Sequence, residues 1–240
     1  MARSPRIEAL YDVFLRKQPR QSRSRSVVEA ILGATGERLS AADAEDAVTV
    51  QGVAERAGVG IGSLYDYFRD REGLLAGFAA KVTEDNLRDF EELLARTRTM
   101  PLRESVALIV DHAFATYTTT PKVSRSIMRI AHAVGFVPTA IESQNAFAGA
   151  LGRALVERTD LPPRDFAAAA YVLTHSIMGV MLTQIWEKEA RVERAEVREE
   201  LVTMCCAFLT QPRADRQPDP GVAGEPSEPA GPAAPEPPAT

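Results

Sequence analysis

Apolar residues recur three and four positions apart along most of this chain, with polar ones between them. That spacing predicts helices. Val27, Ile31, Ala34 and Leu39 form a stripe over 26–39. Val53 and Ala57 lie one turn apart, as do Leu64 and Phe68, which predicts two short helices within 49–68. Leu74, Leu75, Phe78, Val82, Leu87, Phe90, Leu93 and Leu94 mark a long helix over 70–98. Pro101 opens the next, over 101–119, with Val106, Ile109, Val110, Ala113, Phe114 and Tyr117 inward. Pro121 restarts the chain before a shorter helix over 123–136, and Pro138 opens another over 138–158. The last two are expected over 164–188 and 192–209. No stretch alternates in twos like a half-buried strand. The expected fold class is therefore all-α, with about nine helices and a candidate extra one in which Ile7, Leu10, Tyr11 and Phe14 share a face.

Four regions follow. Residues 1–25 carry seven Arg and Lys against Glu8 and Asp12, and read as a basic N-terminal arm. Residues 26–80 form a small helical unit, with a polar, acidic loop over 40–48. Residues 81–210 form a larger helical unit, and the long helix at 70–98 runs from one unit into the other. Residues 211–240, rich in Pro, Ala, Gly and Glu, cannot bury enough surface to offset their ordering entropy, and are expected to be disordered.

The stretch 49–75 organises the rest. Thr49 and Asp70 are placed as N-caps. Gly58 falls where a helix end needs the left-handed conformation. Ala54 is small where two helices cross. Two short helices joined by a glycine turn make a helix-turn-helix, whose second helix is shaped to enter a DNA major groove.

Charge and chemistry change this picture little. The net charge is -5, so the whole chain is no basic nucleic-acid binder, but local potential is what steers DNA. Adjacent Cys205 and Cys206 give neither a disulfide framework nor a zinc spacing, and suit small core or interface positions in a reducing compartment. The apolar run 167–182 is interrupted by Thr174, His175 and Ser176 and falls short of the ~20 residues of a membrane span. A buried helix, with no membrane partner, is expected. His112, His132 and His175 lack an i, i+4 metal spacing, so neither metal nor cofactor is expected. Ser126, His132 and Asp160 follow no catalytic order, which argues against an enzyme.

Thr49, Val53-Ala54, Ala57-Gly58-Val59, Gly62-Ser63-Leu64-Tyr65-Asp66-Tyr67-Phe68, Arg71 and Leu74-Leu75 together resemble the DNA-binding signature of the TetR family of bacterial transcriptional regulators. The loop 40–48 is slightly longer than usual in that family, and Arg71 stands where lysine is commoner. Arginine keeps the charge and the phosphate-binding capacity.

The resemblance implies a DNA-binding domain over 26–80 and a helical ligand-binding and dimerisation domain over 81–210. It implies a cytoplasmic, ligand-responsive repressor that binds a palindromic double-stranded operator as a homodimer. The alternative is a ligand-binding or protein-interaction module that merely retains the motif.

For the DNA contact, Gln51 is the candidate base reader. Gly60 and Gly62 allow close approach, Ile61 offers apolar contact to a thymine methyl, and Ser63 reaches a phosphate or base edge. Tyr65 and Tyr67 suit phosphate, Thr49 and Arg71 clamp it from either side, and Arg23 and Arg25 of the arm add charge. Tyr67 can equally be half core, Ser63 a cap, and Arg71 a partner of Glu72. The resemblance places the dimer interface in helices 164–188 and 192–209. An unknown small-molecule effector is expected among Phe114, Tyr117, Met128, His132, Phe136, Phe147, His175 and Met178, which read equally well as plain core.

Overall fold

In the computed structural model, the structure describes residues 14–19, 21–41, 48–133, 137–187, 189 and 191–211, with the backbone alone at 131–133 and 137–140. The candidate helix ahead of Phe14, residues 42–47 of the loop expected over 40–48, and the tail beyond Gln211 lie outside the described residues. Those residues form nine helices and no strand: α1 Ser22–Ala41, α2 Val50–Ala57, α3 Ile61–Tyr67, α4 Arg71–Thr97, α5 Leu102–Thr118, α6 Pro121–Ala133, α7 Val137–Val156, α8 Ala167–Trp186 and α9 Arg194–Thr210. The fold is all-α.

Two helix starts differ from expectation for local reasons. α1 begins at Ser22 rather than at residue 26. The Ser24 hydroxyl accepts from the Gln21 backbone N–H at 3.1 Å and donates to the Gln21 carbonyl at 2.7 Å. This is half of a capping box. Arg23 and Arg25 therefore ride on the first turns of α1, not in a flexible arm, and Arg25 Nε donates to the Pro19 carbonyl. α8 begins at Ala167 rather than at 164. Arg164 is held outside the helix over the rings of Phe166 and Phe208, 5.1 and 5.7 Å from their centroids. The Asp165 carboxylate accepts from the Ala167 N–H.

The apolar side chains gather into two cores. The first joins α1, α2, α3 and the start of α4 through Val28, Ile31, Leu39, Val53, Leu64, Phe68 and Leu74. The second joins the rest of α4 to α5, α7, α8 and α9 through Leu87, Phe90, Val110, Leu151, Ala170, Met181 and Val202. α4, about 40 Å long at 1.5 Å per residue, belongs to both. α6 is a second bridge. Ile130 is buried in the first core, with Val123 and Ile127 packed against it, while Arg125 Nη1 donates to the Ile185 carbonyl at the end of α8, 3.1 Å away.

α8 is long and apolar enough, by length and composition alone, to cross a membrane. Ala169, Ala170, Leu173 and Met181 pack inside the second core and Ile185 is buried at the end of α8, but its other positions are half-buried or exposed, so it is not the fully buried helix that its composition suggested.

Buried Arg158 pins the helix ends of that core. It donates to the Met100 carbonyl at 2.8 Å, the Ser105 hydroxyl at 3.0 Å and the Asp160 carboxylate at 2.6 Å. The hydrogen bond from Arg158 holds the Asp160 carboxyl below its ordinary value. A depressed carboxyl stabilises the fold above the unfolded-state value, near pH 4, and that contribution is lost as pH falls through the folded value. The stability gap between the wild type and Asp160→Asn, measured by urea unfolding, should close as pH drops below about 4.

Gly77 of α4 passes beneath Phe68. A Cβ there would stand 2.7 Å from Phe68 Cε1, and Phe68 is fully buried. Gly77→Ala should cost about 1–3 kcal/mol through overpacking, read as a lower urea midpoint at unchanged slope.

Candidate nucleic-acid interface and core cavity

The interface is built on two caps and a turn. The Thr49 hydroxyl accepts from the Gly52 N–H at 3.1 Å and starts α2. Gly58 ends α2 in the left-handed region, at φ 68°, and its N–H bonds back into the last turn. Val59 and Gly60 then lead into α3, whose Leu64 is buried beside Phe68. Burying that face turns the other outward: Ile61 is 46% and Tyr65 41% exposed, and Gly60, Gly62 and Ser63 are exposed with them. Tyr67 is half-buried against the first core, so it is partly a packing residue.

Thr49 and Gln51 are exposed on the first turn of α2. Gln51 Nε2 donates to Glu55 Oε1 at 3.0 Å, which orients the amide along the helix surface. Arg71 is less available than its sequence position implies. It is half-buried, and its Nε donates to the Val48 carbonyl at 2.8 Å. It ties the start of α4 to the residue before the Thr49 cap.

Three cations, Arg16, Lys17 and Arg38, were not among the contact candidates read from the sequence. Arg16 donates from its backbone N–H to the Tyr67 carbonyl at 2.9 Å, and from Nη1 to the Tyr65 carbonyl at 3.1 Å, while Leu15 is buried in the first core. The chain at 14–19 is thus docked on the end of α3, carrying exposed Arg16 and Lys17. Exposed Arg38, in the last turn of α1, lies over Gly52, and its Nη2 would stand 2.7 Å from a Cβ built there. It makes no ion pair among the described residues. Lead-in arginines were visible in the sequence, but only the tertiary fold places Arg38 beside the α2 cap.

A family model for the tetracyclin repressor-like C-terminal domain matches residues 101–209, and one for bacterial regulatory proteins of the tetR family matches residues 34–77. Together they run from α1 to α9. The chain belongs to the TetR family.

Solved structures agree on the fold. A TetR-family transcriptional regulator from Mesorhizobium loti is 17% identical with a TM-score of 0.64, over 79% of this chain and 98% of that one. A TetR transcriptional regulator from Rhodococcus sp. RHA1 is 20% identical at 0.54, over 78% and 98%. One from Marinobacter aquaeolei is 21% identical at 0.51, over 79% and 98%. No curated protein matches in sequence. The family identifies the chain as a DNA-binding transcriptional regulator and not an enzyme.

The larger domain of this TetR-family chain holds a cavity of about 70 Å³ among α4, α5, α7 and α8. Tyr117, Phe147 and Met178 line it, as the sequence led us to expect. Phe114, Met128 and His175 do not. Phe114 is buried in core packing with the Arg194 guanidinium 6.0 Å from its ring centroid. Met128 is half-buried on α6. His175 stacks on exposed Tyr171, 4.1 Å between centroids, and bonds its carbonyl. The side chain of His132 and all of Phe136 lie outside the described residues. His112, stacked on Phe90, lines the cavity in their place, together with Asn86, Thr116 and Thr174. Polar residues on amphipathic helices read as solvent face, so the sequence did not single them out.

Thr49→Ala should lower stability by about 1 kcal/mol through loss of the α2 cap, measured as a shifted urea midpoint.

Proposed function

We propose that this regulator is a cytoplasmic, effector-responsive repressor that binds a palindromic operator as a homodimer. The outward face of α2 and α3 supports the DNA half of this reading. α3 is only seven residues long and offers Ile61, Ser63 and Tyr65, so one copy can read only a few base pairs. Gln51 on α2 supplies a base contact, its amide exchanging Glu55 for a base edge. Thr49, which accepts from Gly52, still has its own proton to donate to phosphate. Arg16, Lys17, Arg23 and Arg38 supply the counterion-releasing charge, with Tyr65 and Tyr67 setting register. Arg71 acts chiefly by holding the α2 cap in place.

The second copy is supported by the apolar outer surface of α8 and α9. Tyr171, Val172 and Trp186 of α8 are 51%, 48% and 50% exposed, and Val192, just ahead of α9, and Met204 on α9 are exposed too. Apolar side chains of this size left in water favour a partner surface. The pair of helices predicted over 164–188 and 192–209 is the interface we assign. An effector in the second core would favour one of two arrangements of α4 and α6, and so change the separation of the two α3 helices.

Fluorescence anisotropy with the protein's own promoter DNA and with random duplex, across a salt series, tests this. Preference for the promoter is expected; equal affinity would sink the reading. Arg38→Ala should weaken both duplexes and flatten the salt slope by about one, with stability unchanged within about 0.5 kcal/mol. Tyr65→Phe should weaken all sites alike, and Gln51→Ala should alter sequence preference. Identical behaviour of these two would refute the division into phosphate and base contacts.

A further inference from the structure

The cavity among α4, α5, α7 and α8 says more about its occupant than its position alone does. Most of its wall is apolar, from Phe90, Phe147, Met178 and Met181 among others. Five polar side chains also reach it: Asn86, His112, Thr116, Tyr117 and Thr174. Among the described residues none of the five makes a hydrogen bond. Threonines elsewhere in these helices satisfy themselves on the preceding turn: Thr97 on Leu93, Thr118 on Phe114, Thr183 on Gly179. Thr116 and Thr174 do not. All five are half-buried rather than sealed, so water can serve them until a ligand takes its place, and polar groups of that kind around an apolar void are the makings of a binding site.

The described lining contains no Asp, Glu, Lys or Arg. Its two titratable groups are uncharged at neutral pH. Burial pushes the Tyr117 hydroxyl up to about 12. Burial also lowers His112, with Arg96 acting the same way and Asp89 opposing. An ionised ligand would touch no charged side chain in that lining, and burying an ion without a direct partner is expensive.

A second cavity, of about 40 Å³, lies behind three of the same side chains, Ile109, Leu151 and Ile177. Its polar groups are already engaged: Arg158 donates to Ser105, and Ser105 to the Thr97 carbonyl. Only an apolar group would gain by entering it. Neither void alone reaches the ~300 Å³ of an ordinary small-molecule site, but rotamer changes in three aliphatic side chains and two methionines would join and widen them.

We propose that the cavity takes an uncharged, largely apolar effector with one hydrogen-bonding head, such as a phenol or alcohol, held among Asn86, His112 and Tyr117, and a tail directed past Ile109, Leu151 and Ile177. The inference rests on the effector-responsive reading above and narrows it to a chemical class.

Isothermal titration calorimetry on the full-length chain at neutral pH, with 4-butylphenol, 4-butylbenzoate and 4-butylbenzylamine, compares neutral, negative and positive heads on one tail. The phenol should bind, and both charged probes should bind at least about tenfold more weakly. Tyr117→Phe, which keeps the ring volume, should weaken the phenol severalfold. Ile177→Ala, or Ile177→Val if the alanine variant fails to fold, should improve binding of 4-octylphenol relative to 4-butylphenol. Equal or tighter binding of a charged probe overturns the proposal. So does failure of all three to bind, or indifference to both substitutions. Promoter release is measured separately. A phenol that binds as expected but leaves the DNA complex intact sinks the effector-responsive reading and leaves the ligand class standing.

Discussion

α4 has to satisfy two hydrophobic cores with one rigid rod, and the rest of the molecule is arranged around that constraint. Every residue from Leu74 to Ala80 is buried. The small ones, Ala76, Gly77, Ala79 and Ala80, let neighbouring elements approach from several sides. Gly77 admits the Phe68 ring, which closes the recognition unit onto α4. Beyond Val82 the burial becomes one-sided, and Leu87, Phe90 and Leu94 turn to the second core. Close-packed interiors do not deform smoothly. A shift of α4 in one core therefore reaches the other.

α6 doubles this connection by different chemistry. Its apolar side reaches the first core through Ile130, and Arg125 spends a hydrogen bond on the Ile185 carbonyl, where α8 has run out of intrahelical donors. In the proposed reading, the end of an interface helix is thus fastened to an element seated against the DNA-binding unit. The cavity lies beside Phe90 of α4 and beneath α8. An occupant that widened it would press on both links at once. It would act by favouring one of two packings rather than by carrying a signal along a wire.

What was legible in the sequence was local. Thr49, Gly58 and Asp70 announce helix ends by their own chemistry, and each sits where its type predicts. Leu64 and Phe68 reveal which face of α3 is inward, and so which face is left outward as the candidate for DNA. Longer helices showed in their periodicity. The failures have a common cause in tertiary placement or unusual capping. The start of α1 depends on a glutamine whose backbone is capped by Ser24, a weaker signal than a leading Ser, Thr or Asp. Arg164 lies outside α8 because the ring of nearby Phe166 and that of distant Phe208 hold it. α8 is apolar on nearly every side, so nothing in its sequence told His175 on the outer surface from Thr174 and Met178 at the cavity. Arg16 and Arg38 become interface candidates only once the fold brings them beside α3 and α2.

The short recognition helix and the uncovered surface of α8 follow from one division of labour. Seven residues, two of them glycine or serine at the leading end, cannot carry enough base contacts to pick out a site. In the proposed reading, non-specific attraction through Arg16, Arg23 and Arg38 would add affinity but no sequence information. The proposed homodimer would supply specificity by joining two weak readers at a fixed separation, because spacing is itself information. A large helical domain that leaves Tyr171, Val172 and Trp186 in water has the surface needed to set that separation. If copies join there, the distance between recognition helices depends on how α8 sits against α4 and α6. In that reading the weakness of each reader is what would make the regulator responsive, since a small change in spacing would remove most of the specificity.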